Sequence, residues 1–140
     1  MQVAVLGAGS LGSLVGGVLA IDHNVTLVGR EPHVTPVRSE SLRVLGTESF
    51  VAHTEATTED EGVAADPALV TTKAFDTCAA AAALATGDVD AVLSLGNGLC
   101  YEVMPAERLT DTVVGGTTAL GATLVSPERV VWLGRGETVA

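Results

Sequence analysis

The sequence predicts an α/β domain: a mostly parallel sheet with an antiparallel β addition at its C-terminal edge. Three observations lead there. The chain opens on a short apolar strand, Gln2-Val3-Ala4-Val5-Leu6, followed by the glycine-rich turn Gly7-Ala8-Gly9-Ser10-Leu11-Gly12 and an apolar helix. β-Prone and helical runs then alternate through most of the chain. The last stretch, Thr123 to Ala140, holds β-prone runs around Ser126-Pro127 and Gly134-Arg135-Gly136. With 140 residues, 47% of them apolar, the chain reads as one domain, residues 1–140, with a sizeable core.

The opening order of strand, turn and helix is what a Rossmann-like dinucleotide-binding βαβ unit requires. Gly7 lets the chain turn tightly out of the strand, and Gly9 presents no side chain to a pyrophosphate. Gly12 lets the helix lie close to the sheet. The phosphates belong at the helix N-terminus, where free N–H groups and the helix dipole favour an anion. Glycine-rich turns also recur for packing alone, so the strand before and the helix after carry the reading.

From Ser10 to about Ile21, Leu11, Leu14, Val15, Val18 and Leu19 fall at helical spacing. Gly16 and Gly17 each cost roughly 1 kcal/mol of helix propensity against alanine, which makes sense if the helix lies close to a neighbouring strand. Asp22-His23-Asn24 is a turn and Val25 to Gly29 the second strand. Its end bears on the cofactor. NAD-preferring domains usually carry an acidic residue there for the ribose 2′-hydroxyl. Here stand Gly29-Arg30-Glu31: the glycine makes room, and a guanidinium can fork onto a 2′-phosphate. NADP(H) is therefore the expected ligand. Glu31 is the acidic alternative, since a small backbone shift presents it to the ribose.

Pro32 to Leu42 is a short helix or irregular crossing, limited by Pro32 and Pro36. Leu42 to Leu45 and Ser49 to Ala52 flank Gly46-Thr47-Glu48 as a hairpin inserted into the crossover. Thr54 to Asp66, with Glu59-Asp60-Glu61, is expected as a solvated loop. His33 and His53 have no partner at ligand spacing, so no metal site is expected. Ala68 to Thr72 is the next strand, ending at Lys73, and Ala74 to Ala85 an alanine-rich helix. Asp90 to Leu95 is a strand ending in Gly96-Asn97-Gly98. Leu99 to Met104 starts a further helix, and Thr112 to Gly116 is a strand running into Thr117 to Ala122.

Charge and composition narrow the partners. Seventeen acidic residues stand against seven basic ones, a net −10, and Lys73 is the only lysine. Such a surface suits high salt, where screening shrinks to about 3 Å near 1 M and self-repulsion is tolerable; an ordinary acidic cytoplasmic protein is the alternative. No basic patch is available to neutralise nucleic-acid phosphates. No apolar run reaches membrane-span length, and no basic n-region marks a secretory signal. Cys78 and Cys100 lack CxxC spacing and read as free thiols of a reducing cytoplasm.

In an open parallel sheet, ligands bind beyond the carboxyl ends of the strands. The motif glycines, Arg30, Lys73, Asn97 and the Thr117 to Ala122 segment all fall at such ends. Lys73, kept in a chain that otherwise avoids lysine, is a compact cation suited to a phosphate or a substrate carboxylate. Asn97, between two glycines, can bring its amide against a cofactor ring or ribose.

Val5 to Gly12, Gly29-Arg30, Thr72-Lys73-Ala74, Asn97-Gly98 and Gly116-Thr117-Thr118, in this order and at this spacing, resemble the N-terminal domain of the ketopantoate reductases. The resemblance spans essentially the whole chain. It implies that Gly7, Ala8, Gly9, Ser10, Leu11 and Gly12 hold the pyrophosphate, that Arg30 and Lys73 contact the adenosine 2′-phosphate, and that Asn97 and Ala122 line the nicotinamide-ribose end. It implies reduction of a small 2-oxo acid, 2-dehydropantoate, to pantoate with NADPH, on the way to pantothenate and coenzyme A. It also implies a second, helical domain that supplies the catalytic lysine and most substrate contacts. The chain stops at Ala140 with no lysine after Lys73, so no catalytic residue is expected within it, and little or no reductase activity from it alone. A surface that docks such a partner exposes apolar residues, from Leu99 to Met104 or the C-terminal strands, and favours a homodimer.

Two other readings stay open. A nucleotide-sensing regulatory module is also about one such domain long and binds without chemistry, but usually keeps the acidic residue that Gly29-Arg30 replaces. A reductase of another 2-oxo acid would share this whole domain.

Overall fold

The computed structural model describes residues 1–71, 79–80, 82–84, 86–95, 112–115, 117–118, 120–134 and 138–139. Lys73, Cys78, Asn97, Cys100 and the expected Leu99 to Met104 helix lie outside them.

The chain starts with β1 (Gln2–Leu6), α1 (Ser10–Leu19) and β2 (Asn24–Val28). In β1, Val3 and Val5 face one core and Ala4 and Leu6 the other, the two-residue alternation of a strand buried on both faces. The crossover that follows holds α2 (Val34–Glu40), β3 (Leu42–Gly46), β4 (Phe50–Ala52) and β5 (Glu55–Thr57). Pro36 sits in the first turn of α2, where its missing N–H costs no helical bond. β3 and β4 pair antiparallel as the expected hairpin. Next come β6 (Ala64–Val70), β7 (Asp88–Ser94), β8 (Thr112–Gly115), β9 (Thr117–Thr118), β10 (Gly121–Ser126), β11 (Arg129–Gly134) and β12 (Thr138–Val139). Residues 79–80 and 82–84, between β6 and β7, are helical.

Six strands form one sheet in the order β5-β2-β1-β6-β7-β8, and every neighbouring pair is parallel. Counted along the chain, the order is 3-2-1-4-5-6, which reverses between β1 and β6.

Two expectations need correction here. The Thr54 to Asp66 stretch is not wholly a solvated loop. Glu55–Thr57 pairs with Thr26–Val28 as the edge strand β5, and β6 begins at Ala64 rather than Ala68. Pro67 hid that earlier start. It has no N–H to give, and the ladder to β1 covers only Ala68 to Val70, so a proline is tolerated where that pairing ends.

The C-terminal β run is antiparallel within itself, β10 against β11, but it does not extend the parallel sheet. β11 pairs in parallel with β3, giving a second, mixed sheet in the order β10-β11-β3-β4. Helix α1 packs between the two sheets. Its deepest face is made of small residues, Gly12, Ser13, Gly16 and Gly17, beside the fully buried Leu14. A Cβ on Gly16 would sit 2.6 Å from Leu27 Cδ2, and one on Gly17 2.9 Å from Val44 Cγ2. The two glycines thus let α1 approach β2 on one side and β3 on the other, at the cost in helix propensity noted above. The main core fills this layer with Val5, Leu14, Leu27, Leu42, Val44 and Val130. A second core with Ala4, Leu6, Val70, Leu84 and Val92 covers the opposite face of the parallel sheet.

Candidate functional site

The site begins with the exit from β1. Gly7 has φ +113°, a conformation that a side chain would strain. Its N–H donates to Val28 O at 2.9 Å, which extends the ladder to β2 by one bond while the chain turns away. Gly9 then caps α1. The first intrahelical bond runs from Ser13 N–H to Gly9 O at 2.9 Å, so the N–H groups of Ser10, Leu11 and Gly12 have no acceptor within the helix. Among the described residues no side chain caps them, and the first turn carries no acidic residue. This helix end is open to an anion.

The glycines of the turn differ in what they avoid. A Cβ at Gly12 would run into Gly7 O and stand 2.6 Å from Thr71 Oγ1, so this glycine serves the close packing of α1 on the sheet. Among the described residues a Cβ at Gly9 would meet nothing within 4 Å, and Gly9 has φ −80°, which any residue can adopt. Neither packing nor conformation requires a glycine at 9. The space in front of it is free for something outside the chain. Gly29 is the opposite case: its Cβ would stand 2.6 Å from Ala8 Cβ, so its smallness serves the turn's packing rather than making room for a phosphate.

A cavity of about 630 Å³ opens over this turn. Gly7, Ala8, Gly9, Ser10, Leu11 and Arg30 line it, along with His33, Thr58, Asp60, Thr71, Ala79 and Ala80. It lies at the carboxyl ends of β1, β2 and β6, at the reversal of strand order, where open α/β sheets bind ligands. Of the residues singled out from the sequence for the cofactor, seven therefore share one cavity wall, Gly29 being the seventh. Gly12 is buried behind the turn. Ala122 is not in the wall; it pairs with Trp132 in the second sheet. Its strand still reaches the turn, because Leu124 N–H donates to Ser10 Oγ at 3.1 Å. Lys73 and Asn97 lie outside the described residues.

Glu31 has a defined task. Its Oε1 accepts the Thr35 N–H at 3.0 Å and its Oε2 accepts the Thr35 hydroxyl at 2.6 Å. Both carboxylate oxygens thus hold the first turn of α2, which has no side-chain cap of its own. Arg30 stands exposed on the cavity wall.

Sequence reasoning missed His33, Thr58, Asp60 and Thr71. Asp60 was absorbed into a charged run and Thr71 into a strand end. The available signal was position, since both follow strands that end at this mouth.

A parallel sheet in 3-2-1-4-5-6 order, with an uncapped glycine turn at its reversal point, defines a Rossmann-type α/β domain. The comparisons narrow the class. The chain belongs to the ketopantoate reductase PanE/ApbA family, whose pattern matches residues 3–140. It is 44% identical to a 2-dehydropantoate 2-reductase of Halobacterium salinarum over 145 residues, 99% of this chain and 48% of that protein. Its fold is similar to the crystal structure of a probable 2-dehydropantoate 2-reductase from Bacillus subtilis, with TM-score 0.84, 26% identity and coverage of 99% of this chain and 48% of that one. A D-mandelate dehydrogenase solved as a complex with NADH is similar at TM-score 0.80 and 25% identity, covering 99% of this chain and 45% of that one. The chain thus spans about half the length of the curated relatives it matches. Among the described residues, no helix is long and apolar enough to cross a membrane.

Proposed function

We propose that this chain is the NADP(H)-binding domain of a 2-dehydropantoate 2-reductase. The observation that carries the reading is Gly9, a glycine that nothing among the described residues requires, in front of a helix N-terminus with no side-chain cap among those residues. A pyrophosphate fits that space: close backbone approach, N–H donors without partners in the helix, and a favourable dipole. The N–H groups of the first turn of α1 hold the pyrophosphate, and Gly12 keeps that turn against the sheet.

Arg30 takes the adenosine 2′-phosphate and selects NADP(H) over NAD(H). The engagement of Glu31 with Thr35 supports this, because the one acidic residue next to Arg30 already spends both oxygens on α2. Lys73 supplies a second cation, and Asn97 and Ala122 the nicotinamide-ribose end. The bound nicotinamide supplies a hydride to the carbonyl carbon of a small 2-oxo acid. This chain binds and orients the donor; a helical domain supplies the proton and the substrate contacts, as donor, acceptor and acid must be held together.

The chain alone therefore binds NADPH and does not turn over 2-dehydropantoate. Titration with NADPH and NADH, followed by a turnover assay on the same sample, tests both halves: tighter NADPH binding with no turnover is expected, and NADH preference or measurable turnover overturns it. The NADH complex of D-mandelate dehydrogenase favours a second reading, an NADH-dependent reductase of another 2-oxo acid, and the same titration separates the two.

The excess of acidic residues, seventeen against seven basic ones, supports a salt-rich cytoplasm as the protein's setting. Val125 and Leu133, exposed on β10 and β11, support self-association as a homodimer, read by light scattering at high salt.

A further inference from the structure

Thr71 is the first residue after β6 and lines the cavity beside the glycine turn. Its backbone N–H donates to Leu6 O at 2.9 Å, continuing the ladder between β6 and β1. Its hydroxyl does something separate. Thr71 Oγ1 lies 3.0 Å from Gly7 O and 3.2 Å from Leu6 O, so its one proton is shared between two consecutive carbonyls at the point where β1 ends. Leu6 O already has the backbone donor, which leaves the hydroxyl as the group that holds Gly7 O. The same oxygen lies 2.6 Å from where a Cβ on Gly12 would be, a point that Gly7 O also crowds. The end of β6, the exit from β1 and the first turn of α1 meet at this one hydroxyl.

We infer that Thr71 is a positioning residue for the phosphate turn: its hydroxyl fixes the Gly7–Ala8 peptide and thereby the aim of the donors at the start of α1. In a trans peptide the carbonyl and the next N–H point in opposite directions. Holding Gly7 O therefore sets the direction of the Ala8 N–H and the path of the chain into Gly9. Gly7 itself, at φ +113°, is the most permissive residue type the turn could have there. Without an external hold, the turn has freedom to lose when it closes on a ligand, and that entropy weakens binding. Valine at 71 keeps the β-branched shape of threonine but puts a methyl where Gly7 O needs a donor. Serine keeps the donor.

The inference rests on the reading that this turn holds a dinucleotide pyrophosphate. The test is titration of T71V, T71S and the unaltered chain with NADPH, NADH and 2′-AMP, which has no pyrophosphate. T71V is expected to weaken NADPH and NADH by the same factor, on the order of tenfold, to leave 2′-AMP unchanged, and to be rescued by T71S. Unaltered dinucleotide binding in T71V, an equal loss for 2′-AMP, or a T71S variant as weak as T71V overturns it. If T71V does not fold, T71A is read in its place against the same outcomes. An unaltered chain that binds neither dinucleotide overturns the underlying reading instead, before Thr71 is in question.

Discussion

Replacing Gly9 with alanine separates a ligand-serving residue from a fold-serving one. The added methyl meets no atom of the described residues within 4 Å, and the backbone at φ −80°, ψ −162° accepts an L side chain. Two small effects on stability oppose each other. Glycine is a better helix N-cap than alanine by about 0.5–1 kcal/mol, whereas alanine lowers the entropy of the unfolded chain by about 0.4–1 kcal/mol. The net change is within about 0.5 kcal/mol, or about 2 °C in Tm for a chain of this size. Binding is a different matter. A pyrophosphate on the helix N-terminus leaves no room for that methyl, and overpacking costs about 1–3 kcal/mol. NADPH affinity should fall by about 5- to 150-fold. The assay pairs a nicotinamide fluorescence titration with thermal unfolding read from the single tryptophan, the buried Trp132. A G9A chain that binds NADPH like the unaltered one refutes the reasoning, as does one that loses several degrees in Tm, since Gly9 would then serve the fold.

Gly12→Ala should show the reverse pattern, losing both stability and binding, because its Cβ runs into Gly7 O and Thr71 Oγ1; a cost of about 1–3 kcal/mol is expected from overpacking, checked by Tm without ligand. Arg30→Gln should weaken NADPH by about 10- to 100-fold while leaving NADH unchanged, as expected for charge-assisted bonds to a phosphate, with a smaller effect at high salt. Glu31→Ala should lower stability by about 0.5–2 kcal/mol through loss of the hold on Thr35, without changing the preference between NADPH and NADH; a shift toward NADPH would mean that Glu31 had been acting on the ribose.

The parts of the fold legible in the sequence were those with local signals. The strand, turn and helix of residues 2–19 are readable because a short continuous apolar run gives way, across three glycines, to apolar residues at helical spacing. The β3–β4 hairpin is readable because Gly46-Thr47-Glu48 interrupts two β-prone runs, with Gly46 ending the first strand. What escaped was set by distant partners. Glu55–Thr57 is too short and polar to read as a strand and is one because Thr26 to Val28 lies beside it. The pairing of Arg129 to Trp132 with Arg43 to Gly46 joins segments far apart in sequence, and no local pattern encodes it. The site divides the same way. The motif glycines and Arg30 stand out in the sequence, whereas Gly29, beside Arg30, reads as room for a ligand and the structure shows it packed against Ala8. Glu31 was weighed as a rival for the ribose while its carboxylate holds Thr35. Thr71 looks like any β-branched strand end, and only the distance to Gly7 O shows otherwise.

We propose that the space before Gly9 and the open end of α1 hold the phosphates of NADP(H). Isothermal titration of the unaltered chain with NADPH and with NADH tests it most directly. Saturable one-to-one binding of NADPH, at least tenfold tighter than NADH as one 2′-phosphate contact predicts, is the expected result. Binding of neither nucleotide, or of NADH more tightly than NADPH, contradicts it.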